Sequence, residues 1–253
     1  MLKIDKRIKK TKELPRYISE QLFYVETDEI RSSVCIMTYI LIDLLIILPL
    51  LSPFILVYVY LIAPPLLLLH GWSIRILIKN PYSVQFETLF YIAALSLAGM
   101  FSFFLIAQKI AYFYADIKDA RFYFINTMLY MAATIGILFY RLNKFKDLSY
   151  ETLIEMKKAE TAKEKKRNRF YPLLYAAPGL GVATMKFMRH EGRNYNMFAV
   201  VCFWGLALFF SYTAIKFIHR ILFIRANIER APVEMPSKKE YKKGIVKSDL
   251  KIK

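Results

Sequence analysis

What this sequence lacks removes most function classes at the outset. It has two cysteines and three histidines in 253 residues. Cys35 and Cys202 fall inside apolar stretches, and His70, His190 and His219 lie far apart, with no helix-ligand spacing between any two. A disulfide framework or a zinc site needs thiols or imidazoles close together, so neither is expected. The cysteines read as small apolar residues in packed helices, and no haem, metal or other cofactor is expected. Glycine is scarce at eight residues. Pro178-Gly179-Leu180-Gly181 imitates the opening of a dinucleotide turn, yet it lacks the third glycine, a preceding strand and a later acidic residue. With no nucleophile elbow, phosphate-binding loop or zinc-protease helix, the sequence leans away from an enzyme.

Acidic charge is the other shortage. Twenty Asp and Glu face thirty-seven Lys and Arg, for a net charge of +17. Such an excess suits nucleic acid or an anionic membrane surface. Here the cations flank apolar spans, where Lys and Arg hold loops on the cytoplasmic side (the matrix side in an organelle). Nucleic acid is therefore not an expected partner, whereas the lipid bilayer is. The first 31 residues are charged throughout, which is unlike a cleavable signal peptide, and Asp5, Glu13 and Glu20 argue against an organellar presequence.

Apolar sequence is abundant, and its longest stretch organises the rest. From Ser33 to Trp72 the only formal charge is Asp43. One helix of that length would reach roughly 60 Å, twice the ~30 Å core of a bilayer. The stretch must fold back, and Pro49 with Ser52-Pro53 marks the break. Two helices over 34–50 and 54–71 are expected, the second interrupted by Pro64-Pro65. Trp72 falls at the interface and Ser73–Tyr82 forms an interfacial connector. A third span over 86–107 is rich in small residues (Ala93, Ala94, Ser96, Ala98, Gly99, Ser102), which let helix backbones approach and place it inside the bundle. A mixed-charge outer loop, Gln108–Arg121, leads to a fourth span over 122–140.

The soluble parts divide accordingly. Residues 1–32 form a basic arm suited to anionic headgroups, with an interfacial helix presenting Ile18, Leu22 and Phe23. Residues 141–170 form a basic loop or helix with a Thr152-x-x-Glu155 cap. Residues 171–225 supply two further spans, of which 171–188, broken by Pro178, Gly179 and Gly181, either crosses or dips in and returns. Residues 226–253 form a basic, disordered tail. The arm, the 141–170 loop and the tail are all basic, so all belong on one side. Only an even number of crossings allows that, which predicts an all-α bundle of six spans with both termini cytoplasmic.

Asp43 is the sharpest site candidate. A carboxylate in mid-span costs ~2.5–3.5 kcal/mol on insertion scales, so it must face a partner, a water pocket or a proton path. Lys109 and Lys186 are the candidate counter-ions. Three functions fit. The first is a non-catalytic membrane protein that binds other proteins, as a subunit of a larger assembly. The partners expected besides the bilayer are other proteins or, in a homo-oligomer, copies of this chain. The second is a small channel or transporter using Asp43. The third is an immunity or exclusion protein that intercepts a membrane-active toxin. The expected location is a bacterial inner membrane, with an organellar inner membrane as the alternative.

Overall fold

A computed structural model describes residues 3–8, 13–51, 54–167 and 192–232. Among them every extended regular element is helical. A single turn, α1 (Arg16–Ser19), precedes a helical path made of α2 (Thr27–Cys35), a π-helical segment (Ile36–Ile42) and α3 (Asp43–Leu51). Then come α4 (Leu56–Ile78), α5 (Pro81–Phe113), α6 (Ala120–Lys144), α7 (Tyr150–Arg167) and α8 (Gly192–Ala226). Among the described residues four helices are long and apolar enough to cross a membrane: α4, α5, α6 and residues Met197–Ala226 of α8. By length and composition the chain is an integral membrane protein.

Several boundaries differ from those expected. α3 extends to Leu51, and Pro49 lies inside it instead of ending it. Pro53 and the segment holding Pro178, Gly179 and Gly181 lie outside the described residues. Pro64 and Pro65 sit inside an uninterrupted α4. The expected interfacial connector is instead the last turns of α4, which runs on to Ile78. Arg75 and Lys79 do not end the span early, because Glu87 of α5 takes both, each at 3.3 Å. Asn80 then caps α5, its side chain accepting from the Tyr82 N–H at 3.1 Å, with Pro81 in the first turn, where a missing N–H is tolerated. At its other end α5 runs past Lys109 to Phe113 because Gln108 and Lys109 are buried rather than solvated.

The main core is built around α5, which packs most extensively on α8 and also meets α4, α2 and α3. Its small residues are buried, as the sequence implies. Gly99 is the tightest point: a Cβ there would sit 2.7 Å from the Phe210 ring of α8, which in turn lies 5.1 Å from the Phe103 ring. In contrast, α6 touches α8 through Tyr130 and Ser211 (2.7 Å), and only 6% of its apolar window is buried.

A second, smaller core lies beyond the spans. Ile4, Ile8, Leu14, Ile18 and Leu22 of the arm bury against Phe145, Leu148 and Leu153 after α6 and Phe223 of α8. Full burial of each such side chain is worth ~1.5–3 kcal/mol against exposure, so the arm is held by its apolar residues. Polar contacts fix its register. The Ile4 N–H donates to Asn227 Oδ1 (2.9 Å), and Arg7 pairs with Asp5 (2.9 Å) and Glu151 (3.1 Å). The Arg7 guanidinium holds the Asp5 carboxyl down at about 2. Of the expected interfacial face, Ile18 and Leu22 are buried here and Phe23 is exposed. The start of α7 is organised by Asp147 instead of Thr152-x-x-Glu155. Asp147 accepts from the Ser149 N–H (2.9 Å) and the Thr152 hydroxyl (2.8 Å), which lowers its carboxyl pKa.

Candidate functional site: a polar seam along the first hairpin

The π-helical segment is the local device that assembles the site. Its wider i→i+5 turn rotates the residues that follow, and such insertions recur at functional positions. It carries Thr38 and Tyr39 and delivers Asp43 at its end. Each of these three side chains meets a partner on α4 or α5. Tyr91 OH contacts Thr38 Oγ1, Tyr39 OH contacts Ser73 Oγ at 2.7 Å, and Asp43 Oδ2 lies 2.9 Å from His70 Nε2. The Tyr39 and His70 rings meet edge-on at 5.4 Å.

Proton counting gives the seam its direction. A hydroxyl has one proton to donate. Thr38 donates its own to the Val34 carbonyl (2.7 Å), so Tyr91 donates to Thr38. Ser73 donates to the His70 carbonyl (2.8 Å), so Tyr39 donates to Ser73. His70 Nδ1 lies 2.7 Å from the Leu66 carbonyl, which can only accept, so Nδ1 carries a proton. The contact between Nε2 and Asp43 then contains one more proton, on one atom or the other. Either way the pair is neutral overall, as a carboxyl in an apolar span requires. Asp43 Oδ1 is buried without a hydrogen-bond partner.

Asp43 therefore has a partner, though not an expected one. Lys109 is completely buried and donates from Nζ to the Leu50 carbonyl at 2.7 Å, near the end of α3. Lys186 lies outside the described residues. His70, expected at the end of the 54–71 helix, lies well within α4 because that helix continues to Ile78. Glu87 is a further residue that the sequence did not single out. It accepts from Trp72 Nε1 (3.0 Å) as well as pairing with Arg75 and Lys79. The available signal was Trp72, Arg75 and Lys79 at helical spacing, all opposite one acidic residue across the α4–α5 turn.

Among the described residues no three His, Cys, Asp or Glu side chains are grouped to hold a metal ion. Cys35 and Cys202 are free thiols. The seam can exchange a proton between Asp43 and His70, and its hydroxyls can reorient around them. The chain matches no family model, no curated protein and no solved structure.

Proposed function

We propose that this chain is a non-catalytic integral membrane protein that works by binding other proteins, as a subunit of a larger membrane assembly. The observation that carries this is the state of α6. Beyond its contact through Tyr130 most of its apolar surface faces outward: Ala132 is exposed and Gly136 has open space around its missing Cβ. Small residues four apart let a second helix approach closely, and lipid alone does not require them. Ringing them are Met128, Met131, Ile135 and Phe139, all exposed.

The topology we infer has six crossings, with both termini on the cytoplasmic side of a bacterial inner membrane. Its support is the small core described above, which gathers the arm, the α6–α7 connection and the end of α8 at one end of the bundle. Because α8 finishes at that end, it begins at the other. The chain between α7 and α8 has to make the return, and residues 171–188 are the apolar stretch available for it.

The test is purification of the tagged full chain in mild detergent, followed by native mass and identification of accompanying chains. Stoichiometric foreign chains that disappear with Gly136→Leu, while the purified variant keeps its helicity, support the proposal. A clean homo-oligomer insensitive to Gly136→Leu overturns it. A second reading, a proton-coupled channel or transporter, is favoured by one observation, the proton shared between Asp43 and His70. It requires that Asp43→Asn abolish flux in liposomes.

A further inference from the structure

Where α6 and α8 diverge toward the small core, they leave a groove of about 620 Å³. That volume falls within the ~300–1,000 Å³ of small-molecule sites. Its walls change character along the helices. Leu138, Phe139, Ile215 and Ile218 line the part toward mid-span, while Arg141, His219 and Lys146 lie toward the end that carries the small core.

The polar residues of this groove are buried but incompletely paired. Arg141 and His219 are each 5% exposed. Arg141 Nη2 donates to Gln21 Oε1 at 2.6 Å, a neutral oxygen, while Arg141 Nε and both His219 ring nitrogens have no hydrogen-bond partner. The Phe145 ring lies between the two, 4.5 Å from the guanidinium and 4.4 Å from the imidazole centroid, and holds both groups in place. A buried guanidinium bonded to a neutral oxygen, with the Lys216 ammonium as a charged neighbour, lacks the anion that such a charge calls for.

We propose that this groove binds one anionic phospholipid of the surrounding bilayer. An acyl chain lies along Leu138, Phe139, Ile215 and Ile218, and the phosphate reaches Arg141, His219 and Lys146. Charge complementarity favours this occupant over the chain's own apolar segment. Residues 171–188 contain no Asp or Glu, and their one charged residue, Lys186, would add a cation. A zwitterionic lipid places a compensating cation beside its phosphate, which a site already holding Arg141 and Lys146 disfavours.

The experiment is native mass spectrometry of the full-length protein exchanged into phosphatidylglycerol or phosphatidylcholine. The expected result is one retained phosphatidylglycerol per chain, preferred over phosphatidylcholine by roughly tenfold, the effect of about 1.4 kcal/mol. Arg141→Gln should erase the preference. Ile218→Trp, which fills the apolar part and leaves the Arg141–Gln21 bond in place, should abolish retention without shifting the thermal transition of the small core. Equal retention of the two lipids overturns the proposal, as does retention that survives Ile218→Trp. Efficient disulfide formation in lipid-saturated bilayers between Ile218→Cys and Ala177→Cys, in a background lacking Cys35 and Cys202, would assign the groove to the chain's own segment.

Discussion

Replacing Asp43 by asparagine should leave the fold nearly unchanged, whereas removing either partner outright should not. The reason is the single proton between Asp43 and His70. With Nδ1–H committed to the Leu66 carbonyl at 2.7 Å, a neutral His70 presents a lone pair at Nε2. In Asp43→Asn the introduced amide can donate to that lone pair over the same 2.9 Å and keeps the pair neutral. The substitution is therefore expected to change stability by ~1 kcal/mol or less. Asp43→Ala leaves Nε2 unpaired in a span, which costs ~1–3 kcal/mol. His70→Ala strands the Asp43 carboxyl, which already has one oxygen without a partner, and removes the edge-on contact with Tyr39, itself worth ~0.5–1.5 kcal/mol. Its total should be about 2–4 kcal/mol, kept moderate because hydrogen bonds within membranes average well under ~2 kcal/mol. The assay is reversible unfolding in mixed micelles, run as a cycle with both single variants and Asp43→Ala/His70→Ala. The double variant should cost less than the sum of the two alanine singles, since each single leaves an orphan that the other removes. An Asp43→Asn variant as unstable as Asp43→Ala would refute the proton count, because the amide would then not substitute for the carboxyl.

Two further predictions concern the two cores. Gly99→Val should destabilise by about 1–3 kcal/mol through overpacking, since even a Cβ would meet the buried Phe210 ring at 2.7 Å, and the same unfolding assay reads it. Acid should loosen the small core from its Asp5 corner. The folded-state value of Asp5 lies at about 2, below its ordinary 3.8, so its contribution is fully present above pH ~4 and is lost as the pH falls toward 2. Spin labels at the exposed Lys6 and Lys158 should hold one distance from pH 7 to about 4.5 and broaden below that; Asp5→Asn should show the broad distribution at neutral pH.

Which parts of this architecture were legible depended on whether local pattern or tertiary pairing decided them. Apolar runs located the four described helices that are long enough to cross a membrane, and the small residues of 86–107 foretold a buried α5. Asp43 stood out because nothing else in its run is charged. Its partner did not, for a definite reason. Arg75 and Lys79 look like the end of a span when read along the chain, which put His70 at its last turn. Glu87 neutralises them from the next helix, so α4 continues and His70 lies well inside it. Lys109 was chosen for its charge, but its bond is to a carbonyl whose position depends on where α3 ends. The packing of the arm was hidden for a similar reason. Ile4, Ile8 and Leu14 are spaced irregularly among lysines, and their shared face exists only once Phe145, Leu148 and Leu153 come to meet them.

The ionisable groups of α3, α4 and α5 are matched within the chain, and one at the end of α6 is not. Asp43 and His70 share a proton and present no net charge to the bilayer. Lys109 lies against the Leu50 carbonyl near the C-terminal end of α3, where unpaired carbonyls and the helix dipole amount to roughly half a negative charge. Arg75 and Lys79 have Glu87. Arg141 is also buried, yet the partner the structure gives it is the neutral oxygen of Gln21. Its Nε remains unpaired beside the equally unpaired His219 at the head of a groove that opens between two membrane helices. This guanidinium is left to be matched from outside the chain. The surrounding anionic lipid is the component of its environment with both the charge and the apolar tail to do so.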